Sequence, residues 1–467
     1  MDLEDVALLT SDQGRYLLAR LPEYDPALAI KLSDGLRQRG VDPKLAAAAL
    51  TQSRLRAKAR AKFGEFADQL LFTDHGLQQA TRLEVAARHA QRYLGCGAPE
   101  GTHVADLTGG VGADALAMAA LGLRVTVYER DPVTAAVARA NLAAFPEARV
   151  VAADSLEQDL SKADALFADP SRRTDAGRRV FDPAAYDPPL DRLIELADTH
   201  PLGVKVAPGI AHRAVPPAAE AQWVSVNGDV VEAALWFGRL RSPAARQHAD
   251  GPFRTVLVLR RGRAHHLTQG LPWRGTNPAA DAVRPPNVPV PASPADPRPS
   301  ARQKDGPASP AADAVRPLQV HHPDSAGAPV ERLATGPLQE FIYEPDGAVI
   351  RASLIAEAAA SLGSATLVSD RIAYVTADAA DPQNPFLTGY RVQDAFPFNL
   401  KRLRGYLREH GIGQVVVKKR GTAVDPAELR KRLTLKGDEA AVVILTRLGA
   451  RQSVVIAQPL TARKDSP

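Results

Sequence analysis

The residues best suited to chemistry are four acids: Asp106 in the run VADLTGGVG, Glu129 after Tyr128, Asp154 before Ser155, and Asp169 ahead of Pro170-Ser171-Arg172-Arg173. Each closes a short apolar segment. An ionised carboxylate only accepts hydrogen bonds, and it can accept several. At Glu129 it could take both hydroxyls of a ribose; at Asp154 it could take an adenine amino group. Just after Asp106 come Gly109, Gly110 and Gly112. Glycine lets backbone approach a ligand closely or adopt a positive φ. The spacing is not the GxGxxG of the dinucleotide fingerprint. Any one of these acids alone reads as a solvated loop residue. Four at the carboxyl ends of successive strands mark the edge where open α/β sheets bind ligands.

The elements that must position them alternate in type. Strands are expected at 103–107, 124–128, 149–152, 163–168, 202–206, 222–226 and 231–237. Helices are expected at 113–121, 132–145 and 188–198, the second opened by the cap-and-proline pair Asp131-Pro132. Alternation of this kind implies a parallel, doubly wound α/β sheet. The last two strands are joined by Asn227-Gly228-Asp229, a hairpin turn signal. Residues 1–95 read as a helical region. Its Leu45–Phe63 segment places Arg54, Lys58 and Lys62 on one face, solvated or phosphate-contacting. Residues 269–333 are rich in Pro, Ala and Asp and repeat PAADAVRP at 278–285 and 310–317, the composition of a disordered linker. A small α+β pattern returns at 334–460: strands at 340–343, 415–418 and 441–446, helices at 349–362 and 426–433. The expected division is 1–95 helical, 96–268 ligand-binding sheet, 269–333 linker, 334–460 α+β, and a tail at 461–467.

Bulk properties narrow the class. One cysteine, Cys96, leaves no disulfide within the chain and no multi-cysteine zinc site, and no other metal-ligand cluster stands out. The start MDLEDVALLT is acidic, unlike a signal peptide, and no apolar run is long enough to span a bilayer. A cytoplasmic protein is expected. The net charge of +5 over 467 residues permits a polyanionic partner without requiring one.

Six motifs carry a family resemblance: FTDHGLQQATR (72–82), VADLTGGVGADALA (104–117), DPSRR (169–173), NGDVVEAALWF (227–237), YEPDGAVIRA (343–352) and VKKRG (417–421). The chain resembles bacterial class I methyltransferases that use S-adenosylmethionine (SAM) and carry a C-terminal THUMP-like domain. The resemblance implies a Rossmann-like methyltransferase sheet that ends in an antiparallel hairpin, with a THUMP-like α+β domain behind it. It also implies that Asp106 and the three glycines hold the methionine end of SAM, Glu129 the ribose, and Asp154 with Ser155 the adenine. Arg82 would pair with the SAM carboxylate.

Amine methyltransferases commonly read [DNS]-P-P-[YFW] after the fourth strand. Here Asp169-Pro170 keeps the first two positions, and Ser171-Arg172 departs at the others. Asp169 and the Pro170 carbonyl could accept the hydrogens of an exocyclic amine. The aromatic platform for a flipped base is missing. Arg172 or Arg173 could replace it by stacking or by gripping a phosphate, Phe181 or Tyr186 could supply a ring, or the arginines could form ion pairs. Residues 401–436 hold eleven Lys or Arg against three acids. Lys418, Lys419, Arg420, Arg430, Lys431 and Arg432 are the candidate RNA contacts there; tRNA enters by analogy with THUMP domains. The expected function is SAM-dependent methylation of RNA. The alternatives are a small-molecule or protein acceptor, or a non-catalytic RNA-binding protein.

Overall fold

A computed structural model describes residues 1–95, 101–172, 182–275, 333–433 and 435–460. They form two compact units. The first takes residues 1–206 and 235–247; the second takes 207–234, 248–275 and the C-terminal region from 333.

The first unit holds five parallel strands in the order β3-β2-β1-β4-β5. They are β1 (His103–Asp106), β2 (Arg124–Tyr128), β3 (Ala148–Val151), β4 (Ala165–Ala168) and β5 (Leu202–Val206). Strands β4 and β5 are buried on both faces, as expected of a sheet covered by crossover helices. The order reverses beside β1, the topological switch point at which such sheets bind ligands.

The N-terminal region is helical: α1 (Leu3–Thr10), α2 (Asp12–Arg20), α3 (Ala29–Gln38), α4 (Pro43–Phe63), α5 (Asp74–Gln79) and α6 (Leu83–Gly95). Helix α6 buries one face on the sheet, where the Tyr93 hydroxyl donates to the Leu166 carbonyl at 2.7 Å. The sheet helices are α7 (Ala113–Ala120), α8 (Pro132–Asn141) and α9 (Leu190–Glu195), with α10 (Pro243–Gln247) after the hairpin. Helix α8 stops four residues short of the expected end. Helix α9 starts two residues late, after the cis Asp187-Pro188 bond.

The basic face expected on α4 is mostly consumed by internal contacts. Arg54 pairs with Asp74 at 3.0 Å, and the Lys62 ammonium donates to the carbonyls of Leu77, Gln78 and Ala80. Burial pushes Lys62 down to about 8. Lys58 stays exposed.

In the second unit, β6 (Glu220–Val226) and β7 (Asp229–Trp236) form the expected hairpin. Positive φ at Asn227 and Gly228 makes the two-residue turn that suits the twist of paired strands. Beyond β7, in the first unit, Phe237 donates to the Leu202 carbonyl at 2.9 Å. Two strands not expected from sequence follow: β8 (Phe253–Arg260), parallel to β6, and β9 (Arg263–Thr268), antiparallel to β8. Residues 269–275, assigned to a linker by composition, are held in place. Leu271 bridges to Thr268, and the Trp273 ring stands edge-on to Phe386.

The C-terminal region is a seven-stranded sheet, larger than the three strands expected. Its strands are β10 (Phe341–Pro345), β11 (Thr366–Ser369), β12 (Ile372–Ala377), β13 (Leu387–Pro397), β14 (Ile412–Lys419), β15 (Glu439–Leu448) and β16 (Arg451–Pro459). The order is β11-β12-β10-β13-β16-β15-β14, with only the edge pair β14–β15 parallel. The helix expected at 349–362 is two helices, α11 (Gly347–Ala352) and α12 (Ile355–Ala359), because Ser353 takes a left-handed conformation between them. Helices α13 (Leu400–Glu409) and α14 (Pro426–Arg432) share one apolar core with the sheet through Leu403, Leu407 and Leu429. Among the described residues no helix is long and apolar enough to cross a membrane.

Candidate active site

The glycine loop is held from both sides. The Gly109 N–H donates to the Tyr128 carbonyl at 2.8 Å, and a Cβ at Gly109 would lie 2.0 Å from Val127 Cγ1. Gly110 and Gly112 have φ of +54° and +84°, and the space a Gly110 side chain would fill is open. From beneath, the Asn141 side chain donates to the Leu71 and Val111 carbonyls and accepts from the Leu71 N–H. Gly76 of α5 closes on Val111, where a Cβ would lie 2.4 Å from its Cγ1. The FTDHGLQQATR segment is therefore part of the floor of the loop.

Around the loop the carboxylates crowd. Asp106 is 2% exposed and accepts from the Thr108 N–H at 3.1 Å. Burial pushes its carboxyl well above the ordinary range, and the charges of Asp114, Asp169 and Glu129 add to this. Glu129 accepts from the N–H groups of Gly110 at 2.9 Å and Asp131 at 2.8 Å; burial still raises it. Such a site resists a pyrophosphate and favours a ligand that brings positive charge and hydroxyl donors. SAM, with its sulfonium, ammonium and ribose, has that chemistry, and the open space at Gly110 fits its close approach. Asp154 accepts from the Leu156 N–H and lies 3.7 Å from Arg130, and Ser155 is buried beside it. The Arg82 guanidinium donates to the Ala61 carbonyl at 2.9 Å.

Asp169 stands at the centre of a network that the sequence did not reveal. Its N–H donates to Thr108 Oγ1, and its Oδ2 accepts from Lys205 Nζ at 2.6 Å. Lys205 also donates to Thr81 Oγ1 at 2.9 Å, and Thr81 donates to Asp114 Oδ2 at 2.6 Å. Asp114 Oδ1 lies 2.8 Å from His89 Nδ1. Burial would raise the Asp114 carboxyl, but His89, Lys205 and Thr81 outweigh it and hold the group below its ordinary value. Asp169 stays above its ordinary value because burial exceeds the pull of Lys205. The signal for this network was present, since a lysine inside the apolar strand LGVKV must be partnered if it is buried.

The rest of the loop is mixed. Pro170 is buried, and Ser171 forms an antiparallel bridge to Asp187, with hydrogen bonds of 2.7 and 3.0 Å. Arg172 is half-buried, and its charge favours the ionised form of Asp169. Arg173 and Phe181 lie outside the described residues. Tyr186 is 3% exposed, so its ring offers no stacking platform.

The geometry agrees with relatives. An uncharacterized SAM-dependent methyltransferase of Mycobacterium tuberculosis is 30% identical over 413 residues, covering 85% of this chain and 91% of that one. The chain belongs to the SAM-dependent methyltransferases. A family model described as "Putative SAM-dependent methyltransferase" matches residues 77–165, and one described as "THUMP domain-like" matches 387–459. A third, described as a domain of unknown function, matches 2–59. A crystal structure of a protein from Porphyromonas gingivalis, described as a "putative methyltransferase", covers 94% of this chain and 100% of its own at a TM-score of 0.61 and 17% identity, which shows a shared fold. Ribosomal RNA small subunit methyltransferase J of Chromobacterium violaceum is 41% identical over 75 residues, 14% of this chain and 29% of that one. The methyltransferase thus has SAM as its cofactor, and Glu129 hydrogen-bonds the glycine loop at the Gly110 N–H.

The expected RNA contacts in the second unit divide into two groups. Lys418 and Arg420 are half-buried, and both pair with Glu344. Their cations also lie over the rings of Tyr390 and Tyr374. The motifs YEPDGAVIRA and VKKRG therefore meet in one internal ion-pair cluster. Lys419, Arg430, Lys431 and Arg432 are exposed, as are Lys401, Arg402, Arg404 and Arg408 on α13, a set not singled out from sequence.

Proposed function

We propose that the methyltransferase acts on RNA, at an exocyclic amine of a base, with exposed cations of the THUMP-like region holding the phosphate backbone. The observation that carries the reading is Asp169-Pro170 at the end of β4, with Asp169 Oδ1 free of hydrogen bonds among the described residues. SAM supplies an electrophilic methyl group when bound. The chain supplies alignment and charge placement. Asp169 Oδ1 and the Pro170 carbonyl accept the two amine hydrogens, which aims the nitrogen lone pair. As the nitrogen–carbon bond forms, the methyl carbon's bond to the sulfonium sulfur would break with its electron pair left on sulfur, and the proton given up by the nitrogen would go to Asp169 Oδ1. Thr108 Oγ1 holds the Asp169 backbone in register with the glycine loop. Asp106, Glu129 and Asp154 would hold the cofactor, with Arg82 toward its carboxylate.

Support for RNA comes from the exposed cations on α13, α14 and at Lys419, and from the stretch shared with a ribosomal RNA methyltransferase. The test is to incubate the protein with labelled SAM and total RNA, and to compare nucleosides from a deletion strain with its parent by mass spectrometry. Label should enter RNA with the wild type and not with Asp169→Ala, and one methylated nucleoside should vanish in the deletion. Label confined to proteins or metabolites would overturn the RNA reading and favour another acceptor, for which Ser171-Arg172 in place of proline and an aromatic is the relevant feature.

A further inference from the structure

The strand β5 contributes one charged group to the interior, Lys205, which is 5% exposed. A lysine in such a place must be compensated. Its ammonium donates to Asp169 Oδ2 at 2.6 Å and to Thr81 Oγ1 at 2.9 Å. Thr81 is fixed in turn by Asp114, and Asp114 by His89. Four of these groups come from separate elements, His89 from α6, Asp114 from α7, Lys205 from β5 and Asp169 from the end of β4, and Thr81 lies between α5 and α6.

We propose that Lys205 is a positioning residue: it pins Oδ2 of Asp169 and keeps that carboxylate ionised, so that Oδ1 alone faces the substrate amine as acceptor. The proposal rests on the amine-methylation reading above. Its physical basis is the surroundings of Asp169. Asp106 and Asp114 face it with negative charge, and burial acts in the same direction; Arg172 and Lys62 oppose them at longer range. Lys205 is the cation in direct contact. Without it, a carboxyl in this setting would keep its proton to higher pH, and a protonated carboxyl would present a donor to an amine that needs an acceptor. Thr81 matters because it fixes the ammonium between two partners, and the carboxylate with it. Lys205 touches neither cofactor nor substrate in this scheme.

The test uses the full chain without SAM or RNA. The Asp169 carboxyl is followed by carbon-13 NMR titration, assigned by comparison with Asp169→Asn. In Lys205→Met it should titrate higher by about 1–3 pH units, the range an opposite charge at this distance supports. Lys205→Arg should restore most of the wild-type value. In methyl transfer the acidic limb of the kcat profile should move the same way, while the Kd for SAM stays unchanged. An unmoved carboxyl titration overturns the proposal, as does a moved titration with an unmoved kcat profile. If Lys205→Met does not fold, Thr81→Val loosens the ammonium and should give a smaller shift of the same sign; no shift there also overturns it. If the wild type transfers nothing to RNA, the RNA reading fails, and the substrate-free titration still decides whether Lys205 controls Asp169.

Discussion

Asp106 is a buried and Asp169 a half-buried carboxylate, both at strand ends, yet they face opposite demands. Among the described residues, Asp106 accepts one hydrogen bond, from the Thr108 N–H, and has the charges of three other acids around it. Its folded pKa is raised, so ionised Asp106 disfavours the folded state as pH climbs from its unfolded pKa through its folded one. Asp106→Asn should therefore be more stable than wild type near neutral pH without ligand, and should bind SAM more weakly; thermal melts and calorimetry read the two effects. A cationic cofactor needs Asp106 and Glu129 ionised, and both titrate above the ordinary range. SAM affinity should then begin to fall on acidification at a higher pH than exposed carboxylates would give, which calorimetry across mildly acidic pH would show. Asp169 has Lys205 as its partner and, in the proposed reaction, would accept from the substrate. Asp169→Asn should lower kcat by about a hundredfold or more, the scale of a lost proton acceptor, with little change in SAM affinity.

Elements hold these side chains through close approaches that only glycine allows. At Gly203, a Cβ would meet Trp236 Cζ3 at 2.5 Å and the Tyr93 hydroxyl at 2.8 Å. Here β5 passes under the α6 helix and the end of β7. Gly203→Ala should cost about 1–3 kcal/mol through overpacking, seen as a lower denaturant midpoint. Gly109→Ala would drive its methyl into Val127 and should weaken SAM binding as well as stability. Helix α4 shows how an element's chemistry can be misjudged from its face alone. Its cations sit at regular helical spacing, but Lys62 finishes α5 by binding three carbonyls and Arg54 ties down Asp74. Their partners lie 15–20 residues away, where helical periodicity carries no information.

At the scale of the whole chain, charge is not evenly spread. Residues 401–436 carry an excess of eight positive charges, more than the +5 of the entire protein. The structure divides those charges into a half-buried pair on Glu344 and an exposed set. Replacing Lys419, Arg430 and Lys431 with alanine should weaken RNA binding and flatten the plot of log affinity against log salt by about 0.7 per lost phosphate contact. Replacing Lys418 and Arg420 should instead lower the melting temperature, because Glu344 would be left half-buried without its partners. Fluorescence anisotropy against salt, together with thermal melts, separates the two sets.

Some of this was local and therefore legible in sequence. The alternation of apolar runs and helices placed β1 to β7 within a few residues, and Asn227-Gly228 marked the hairpin because its turn needs positive φ. The glycine loop and Asp106, Glu129, Asp154 and Asp169 could be named from their places at strand ends, since the carboxyl edge of a parallel sheet follows from strand order. Strands β8, β9, β11 to β13 and β16 were missed: β8 and β16 are continuous buried runs without the alternation that marks a strand, and β13 takes its partners from β10 and β16, far along the chain. The same holds for Lys205, Thr81, Asp114 and His89. Lys205 and Asp169 are separated by 36 residues and His89 and Asp114 by 25, and only the stacking of β5 beside β4 and of α6 beside α7 brings their polar atoms within hydrogen-bond distance. The acids of VADLTGGVG and DPSRR were written in sequence; which oxygen of Asp169 is taken by Lys205 was decided by the fold.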